Sequence, residues 1–473
     1  MTLSAIRRFA KTPSAMMTAS VLLVAIGGYL FLILAGDIKD KPAAAAMASM
    51  YVLVNLIGQG VFAGLELETS RSLSRAVAVG DDIVPVMRRA VRHTAALFAI
   101  CCLFVVAASP ILVAGPLHQE WVLIPPVLIG TFSYSLSYLV RGLLGGQQLF
   151  AGYSATLVAE GMSRIVPFLA IAVLGIGSAV VYCAVYSCGL FFSAGIGWYF
   201  WLRPRLVELR GGGTAGAGAA IAPTTPDAPS TPKPTVDAHG SGLRSWLSTG
   251  LLFLVSAALL TQLVANLPAL GASSRLGAHP ATATAFVQAA TLSRIPLLLV
   301  GPVTALLLPR LTAAGAIGDM RAVRTTVRTG SIGMLGLGAL AGAGLGVLGP
   351  WVLKNFFNAT GISALSLVLM AIGTAGLMAV GVLQPTLIGL GRQRHVPIAW
   401  AVGAIAMGVA VVWPGDPVSA AVVASLVGPA GVVLAMAFGL RGLRAADARF
   451  TPTDGGPSDP VRPAAEPQAA SNV

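Results

Sequence analysis

The chain alternates between long apolar segments and short polar connections along most of its length. Twelve segments are long enough to cross a hydrocarbon core of ~30 Å as helices. Their predicted ranges are Ala15–Ala35, Ala44–Leu65, Ala95–Val113, Trp121–Leu139, Tyr153–Leu174, Ala179–Trp201, Trp246–Leu267, Ala283–Leu308, Thr329–Leu348, Ile362–Ile388, Val396–Val412 and Val418–Gly439. The pattern predicts an all-α polytopic membrane protein with about twelve transmembrane helices.

One polar gap divides these segments into two groups of six. Residues 211–242 are mostly Gly, Ala, Pro and Thr, a composition typical of a flexible linker. The chain after residue 450 has a similar composition. We therefore predict an N-terminal six-helix bundle over residues 1–210, a cytoplasmic linker over 211–243, a C-terminal six-helix bundle over 244–449 and a disordered cytoplasmic tail over 450–473.

The two groups also resemble each other in sequence. The run Arg75–Arg92, after the second span, matches Ala313–Arg328 after the eighth, and Leu144–Gln148 after the fourth span matches Gly389–Gln393 after the tenth. Span n therefore pairs with span n+6. Because six is even, the halves have the same orientation, which predicts a parallel pseudo-twofold repeat with a central site between the bundles.

Composition and charge exclude a soluble globular protein and fix an orientation. Hydrophobic residues make up 56% of the chain and charged residues 10%. If the N-terminus is cytoplasmic, 24 of the 30 lysines and arginines lie on that side and four in outer loops, which is the positive-inside pattern. The net charge of +13 then reflects orientation and attraction to anionic lipid, with no nucleic-acid partner. The four cysteines lack metal-ligand spacing, and we predict neither a metal nor a cofactor.

The eighth span contains a charge that the membrane makes costly. Arg294 lies 11 residues into this span, roughly 16 Å deep and near the midplane. Pro296 and Pro302 lie beyond it, and broken helices at this depth are tolerated mainly where they line a cavity. Two interpretations remain: Arg294 binds an anionic ligand, or a carboxylate on a neighbouring helix neutralises it.

The fifth span contains a second mid-membrane arginine, Arg164, with Glu160 one helical turn before it. A planar guanidinium with several donors suits diphosphate oxygens. Glu160 has two interpretations: a simple intrahelical ion pair with Arg164, or a switchable pair in which Glu160 takes a proton when an anion binds the arginine. Glu160 and Glu66 are the candidates for ion coupling.

Polar side chains elsewhere in the spans are candidates for contact with cargo. Asn55, Gln59 and Glu66 form one stripe on the second span and should face the bundle interior, where they bind either sugar hydroxyls or neighbouring helices. Tyr138 in the fourth span either stacks on a sugar ring or anchors the helix at the interface. Gln262 and Asn266 are expected toward the outer end of the seventh span.

These segments resemble a known superfamily. The ranges Phe62–Arg71, Arg141–Phe150, Glu160–Arg164 and Phe286–Pro309 are similar to the polysaccharide-exporter branch, with its O-antigen-type flippases, of the multidrug/oligosaccharidyl-lipid/polysaccharide (MOP) exporter superfamily. The resemblance implies a V-shaped, alternating-access transporter in a bacterial plasma membrane. It also implies flipping of a polyprenyl-(di)phosphate-linked sugar or oligosaccharide from the inner to the outer leaflet for cell-envelope polysaccharide synthesis.

Several function classes compete with this interpretation. The sequence has no GxxxxGK[ST] loop for ATP, and its short outer loops disfavour a membrane glycosyltransferase, so we predict a non-enzymatic transporter with no catalytic residues. A cation-coupled multidrug exporter of the same superfamily is the main alternative, and a lipid II flippase is a weaker one. The expected partners are the lipid-linked glycan, membrane lipids and a glycan polymerase or glycosyltransferase, with the transporter itself a monomer.

Overall fold

The computed structural model describes residues 13–205, 207, 249–300, 320–389, 392 and 394–447. Regular structure in this part of the chain is helical. The N-terminal half forms α1 (Pro13–Asp37), α2 (Lys41–Val79), α3 (Ile83–Ala114), α4 (Ile124–Gly146), α5 (Phe150–Val173) and α6 (Ala179–Gly197). The C-terminal half forms α7 (Thr249–Arg275), α8 (Pro280–Leu292), α9 (Met320–Phe356), α10 (Ala364–Gly389), α11 (His395–Val412) and α12 (Pro417–Asp447). The prediction of an all-α polytopic fold is confirmed.

Eleven helices of the described residues are long and apolar enough to cross a membrane. The twelfth, α8, has 13 residues and gives way at Arg294 to a 3₁₀ turn over Ile295–Leu299. Pro296 lies at the start of that turn, where its missing N–H and its ring prevent the α-helix from continuing. The predicted break beside Arg294 is therefore confirmed, whereas Pro302, the linker and the tail lie outside the described residues.

The packing of the helices repeats after six elements. In the N-terminal half α1 packs on α5, α3 on α4, and α6 on both α4 and α5. The corresponding pairs in the C-terminal half are α7 with α11, α9 with α10, and α12 with both α10 and α11. This correspondence is what a parallel repeat of two six-helix lobes predicts.

The two lobes meet mainly through α2 and α7. These helices pack along their length, and α8 adds contacts to α1 and α2. Close approach depends on glycine: a Cβ atom at Gly64 of α2 would lie 2.6 Å from the backbone nitrogen of Val255 in α7. The lobe interface is thus a helix pair whose backbones nearly touch, an arrangement that small residues permit in membranes.

One end of the interface is closed by hydrogen bonds. We call this end the distal face; it carries the α1–α2, α3–α4 and α7–α8 connections. The hydroxyls of Ser49 (α2) and Ser273 (α7) are 2.6 Å apart, and His118 Nε2 lies 3.0 Å from the Ser273 hydroxyl. Gln288 of α8 donates to the backbone oxygen of Leu32 in α1 at 2.7 Å. The described contacts therefore join the lobes on this face.

Several helices extend beyond their predicted ends. The helix α4 continues to Gly146 instead of ending at Leu139, and α7 continues through Pro268 to Arg275 instead of ending at Leu267. Hydropathy detects where a helix leaves the hydrocarbon, and polar or glycine-rich turns beyond that point do not end the hydrogen-bonded helix. As a result, two predicted loop or end positions, Arg141 and Gln262, lie within helices.

Candidate functional site

Arg294 lies at the break in α8, facing the lobe interface. Its Nη1 donates a hydrogen bond of 2.9 Å to Asn266 Oδ1 on α7. The side chain is half-buried and, with Ser293 and Thr374, lines a cavity of about 20 Å³ in the C-terminal lobe. Among the described residues it has no carboxylate partner, so neutralisation by a neighbouring acid is not observed there.

A chain of carboxamides begins at Arg294 and crosses between the lobes. Asn266 Nδ2 donates to Gln262 Oε1 at 2.8 Å, and Gln262 Nε2 donates to Gln59 Oε1 on α2 at 3.1 Å. Gln59 Nε2 then donates to Asn55 Oδ1 at 3.1 Å. Four candidate cargo-binding residues are thus joined in one network.

The network ends in the N-terminal lobe at Tyr186 of α6. Asn55 Nδ2 donates to the Tyr186 hydroxyl at 2.8 Å, and the Arg164 Cζ atom lies 4.1 Å from the centre of the Tyr186 ring. A guanidinium at this distance is attracted by the negative face of the ring. Arg164 and Arg294, the two candidate anion-binding residues, are therefore connected through side chains of both lobes.

Three charged side chains form a cluster within the N-terminal lobe. Glu160 is bound by Arg164 Nη1 at 2.9 Å and by Arg141 Nη2 on its other oxygen. Their exposed fractions are 3% for Glu160, 1% for Arg164 and 4% for Arg141. The predicted Glu160–Arg164 ion pair is present. Because one carboxylate is shared by two guanidinium groups, the cluster has a net positive charge.

Arg141 is the main correction to the predicted site. The predicted fourth span ends at Leu139, which leaves Arg141 among the cytoplasmic loop charges, whereas α4 continues past it and carries it to the buried cluster. It also stands over the Tyr138 ring, with Cζ 5.5 Å from the ring centre. The sequence indicated this position only indirectly. Arg141 follows a long apolar run within two helical turns, and the next span contains Glu160.

Tyr138 and Glu66 lie beside this cluster, toward the end of the lobe opposite the distal face. Tyr138 is half-buried, and its ring stacks with Tyr134 at 5.7 Å between centres. Glu66 accepts a 2.7 Å hydrogen bond from the Tyr153 hydroxyl. Both residues therefore contact protein groups, and neither is an isolated anchor at a helix end.

The position of Gln262 was predicted wrongly. It lies in the middle of α7, because this helix runs from Thr249 to Arg275, and not toward its outer end. The tyrosines that complete the network, Tyr134 and Tyr186, were not predicted as site residues. Tyr134 donates a 2.7 Å hydrogen bond to Asn55 Oδ1. An aromatic residue in an apolar span gives no periodic signal of its own, so only tertiary packing identifies these partners.

The candidate site presents hydrogen-bond donors and positive charge, and few of its groups could bind a cation. No group of three or more His, Cys, Asp and Glu side chains that could hold a metal occurs among the described residues. Outside the spans, burial lowers the pKa of the His118 imidazole at the distal face. The site is therefore suited to hydrogen bonding and to anions.

Solved structures resemble the whole described fold. An inward-facing multidrug resistance MATE family transporter of the MOP superfamily is 13% identical, with 90% of this chain and 96% of that chain covered and a TM-score of 0.69. The lipid II flippase MurJ, in an inward closed conformation, is 12% identical, with 90% and 87% covered and a TM-score of 0.57. The chain has the fold of MOP-superfamily transporters. An outward-facing MATE transporter of this superfamily matches with 13% identity, 95% and 100% coverage and a TM-score of 0.51.

Comparisons of sequence add no closer relative. No family model and no curated protein matches the chain. The MOP fold agrees with the V-shaped, alternating-access architecture expected from the sequence, and the structures it matches are transporters and a flippase by description. The polysaccharide branch suggested by the sequence stays a prediction, because the matched structures given above are multidrug transporters and a lipid II flippase.

Proposed function

We propose that this protein flips a polyprenyl-(di)phosphate-linked sugar or oligosaccharide from the inner to the outer leaflet of a bacterial plasma membrane. In this proposal the N- and C-termini are cytoplasmic, so the distal face is the outer face and its closed contacts correspond to a state open toward the cytoplasm. Arg294 binds diphosphate oxygens, Arg164 supports the positive potential, and the amides between the lobes meet the sugar.

One observation carries this proposal: two buried arginines share one buried glutamate, so the buried charge is positive and the glutamate already has partners. In the part of the chain that is described, the fully buried Arg and Glu side chains are Arg141, Arg164 and Glu160. Glu160 is held by both arginines, and a cation would have to displace a guanidinium to reach it. An anionic head group instead gains from this potential, and when it draws Arg164 away, Arg141 still balances Glu160.

A cation-coupled multidrug exporter is the second candidate, and Glu66 is the observation that favours it. Glu66 is a half-buried carboxylate bonded to a neutral tyrosine, so it could bind a proton or a cation without losing a salt bridge. In that function Glu66, with Glu160, would couple ion entry to drug export. Among the described residues, no side-chain observation favours a membrane glycosyltransferase.

Flipping in proteoliposomes tests the proposal directly. A fluorescent polyprenyl-diphosphate sugar is incorporated, and an impermeant quencher reports its exposure in each leaflet. We expect Arg294→Ala to slow flipping at least about tenfold, because a hydrogen bond to a charged group contributes roughly 1.5–3 kcal/mol. Arg71→Ala is the matched control, since Arg71 is an exposed arginine paired with Glu68.

The result also separates the two candidates. Flipping that requires Arg294 but tolerates loss of Arg71 supports the lipid-linked substrate. If the wild type moves no diphosphate lipid but exports a cationic dye in response to a proton gradient, with Glu66→Gln inactive, the exporter function replaces it. Association with a glycan polymerase or glycosyltransferase, and a monomeric state, are expected and can be checked by co-purification and mass measurement.

A further inference from the structure

The two lobes balance their buried arginines in different ways. In the N-terminal lobe Arg164 binds the carboxylate of Glu160. In the C-terminal lobe Arg294 has no carboxylate partner among the described residues, and its Nη1 bonds the Asn266 side-chain oxygen at 2.9 Å. A guanidinium has five N–H donors, and a polar group away from water is costly unless it is hydrogen-bonded. Further acceptors are therefore expected beside Arg294.

Two prolines near Arg294 each free a backbone carbonyl group. Pro268 lies inside α7 and Pro429 inside α12. Because proline has no N–H, it cannot bond the carbonyl four residues earlier, which belongs to Val264 in α7 and to Ser425 in α12. In membrane helices such carbonyls are satisfied by side chains, neighbouring helices or ordered water. The corresponding helices of the other lobe, α1 and α6, have no interior proline.

The freed carbonyls and the guanidinium belong to residues that line one cavity. This cavity of about 20 Å³ is lined by Arg294, by both prolines and by both residues whose carbonyls they free. The Ser425 oxygen is directed toward α10, since a Cβ atom added at Gly373, which also lines the cavity, would collide with it. The two interrupted hydrogen bonds therefore lie beside the charge that needs acceptors.

The hydroxyl groups of the cavity are already used as donors. Three hydroxyl side chains belong to the lining. Each donates to a backbone oxygen earlier in its own segment: Ser293 to Ala290 at 2.8 Å, Thr374 to Met370 at 3.1 Å and Ser425 to Ala421 at 2.9 Å. Toward the cavity these hydroxyls can only accept. The lining thus combines several acceptors with one donor group, the Arg294 guanidinium.

We propose that this cavity binds one water molecule, which donates to the Val264 and Ser425 carbonyls and accepts from Arg294. A buried water needs about 10–15 Å³ and 2–4 polar partners, and the cavity of about 20 Å³ meets both conditions. The two hydrogens of water match the two freed carbonyls, and its oxygen matches the guanidinium. A metal cation would suit the acceptors, but the charge of Arg294 would repel it.

The water makes Pro268 and Pro429 positioning residues for the anion site. This inference rests on the proposed function in assigning anion binding to Arg294. A carboxylate would hold the guanidinium and also cancel its charge. A water held by two carbonyls orients the guanidinium through neutral dipoles, so the full charge stays available to a diphosphate. The C-terminal lobe therefore presents an oriented cation, whereas Arg164 shares its charge with Glu160.

Radiolysis detects a buried water through the methionine beside it. A millisecond X-ray pulse converts water to hydroxyl radicals, which oxidise neighbouring methionine to the sulfoxide. Met370 lines the cavity and is 2% exposed. Met378, on the same helix, is 0% exposed and packs in a separate apolar cluster. We expect Met370 to be oxidised several-fold faster than Met378 in the wild type.

Restoring the helix hydrogen bonds should remove the water. In Pro268→Ala/Pro429→Ala, the new N–H groups bond the freed carbonyls. We expect Met370 oxidation to fall to the Met378 rate. Affinity for farnesyl diphosphate, measured by calorimetric titration, should fall about fivefold, the ratio for loss of one neutral hydrogen bond. Pro350→Ala should change neither quantity, since Pro350 lies inside α9 of the same lobe and outside the cavity lining.

The outcomes separate the water site from the proposed function. Oxidation of Met370 at the Met378 rate in the wild type would overturn the water. Fast oxidation that persists in the double proline variant would overturn its assignment to the freed carbonyls. If oxidation falls there but the affinity for farnesyl diphosphate is unchanged, positioning of Arg294 by the prolines is wrong. If the wild type binds no farnesyl diphosphate, anion binding at Arg294 fails, and the oxidation rates still decide whether the water is present.

Discussion

At the scale of single residues, the Arg141–Glu160–Arg164 cluster makes Glu160 a carboxylate with two cationic partners. Removing water from a charge costs several kcal/mol unless pairing replaces it. The second partner has a functional consequence: Arg164 can leave Glu160 for an anion while Arg141 still balances the carboxylate. The switchable pair considered from the sequence therefore does not need Glu160 to take a proton.

Removing the shared carboxylate should be far more harmful than removing one whose arginine partner is exposed. Glu160→Ala leaves two buried guanidinium groups unpaired, and we expect a loss of about 3–5 kcal/mol of unfolding free energy. Glu68→Ala, which removes the partner of exposed Arg71, should cost about 0–1 kcal/mol. Thermal unfolding of both variants in one detergent measures the difference, and equal losses would contradict a buried, shared role for Glu160.

At the scale of helices, hydropathy predicted which helices are present but not the residues at which they end. Eleven spans of the described residues and the break at Pro296 follow from apolar length and from proline chemistry, both local properties. The inclusion of Arg141 in α4 and the central position of Gln262 depend on turns that continue outside the hydrocarbon. Tyr186 was missed for a different reason, since its role arises from contacts with Asn55 and Arg164 that are distant in sequence.

The packing of α9 on α10 provides a test at this scale. A Cβ atom at Gly338 would lie 2.2 Å from the Ala375 Cβ, whereas one at Gly344 would meet no atom within 4 Å. We expect Gly338→Ala to destabilise the protein by about 1–3 kcal/mol through overpacking. Gly344→Ala should be neutral or stabilising by up to about 1 kcal/mol, because glycine disfavours helix. Melting temperatures compare them; a harmless Gly338→Ala would show that the helices separate freely.

At the scale of the whole molecule, buried neutral side chains join the lobes at the distal face, where an added charge would be unfavourable. His118 is buried there, beside the Ser273–Ser49 contact, and burial lowers the pKa of its imidazole. The closed face therefore favours neutral His118. A proton added there is stabilised by moving the ring into water, which requires the face to open.

The closed distal face should therefore be less stable at low pH. Above the ordinary histidine pKa of about 6.5, His118 is neutral in open and closed forms alike and pH has no effect. As the pH falls below that value, the exposed ring gains a proton before the buried one, so stability decreases. We expect the melting temperature to fall more steeply between pH 6.5 and 5 in wild type than in His118→Gln. His279→Gln, an exposed histidine on the same face, should retain the wild-type slope, and identical slopes in all three would exclude this role.

The length of α2 has a mechanical consequence. Its 39 residues span about 58 Å at 1.5 Å per residue, nearly twice the hydrocarbon thickness. Gln59 lies near the middle, so the end at Val79 is roughly 30 Å away, and a tilt of about 10° around Gln59 moves that end by about 5 Å. The corresponding helix of the other lobe, α8, is interrupted at Arg294. One lobe thus contains a long continuous helix and the other an interrupted one, and a partner that binds the protruding end of α2 would act on the lobe interface over a distance of roughly 30 Å.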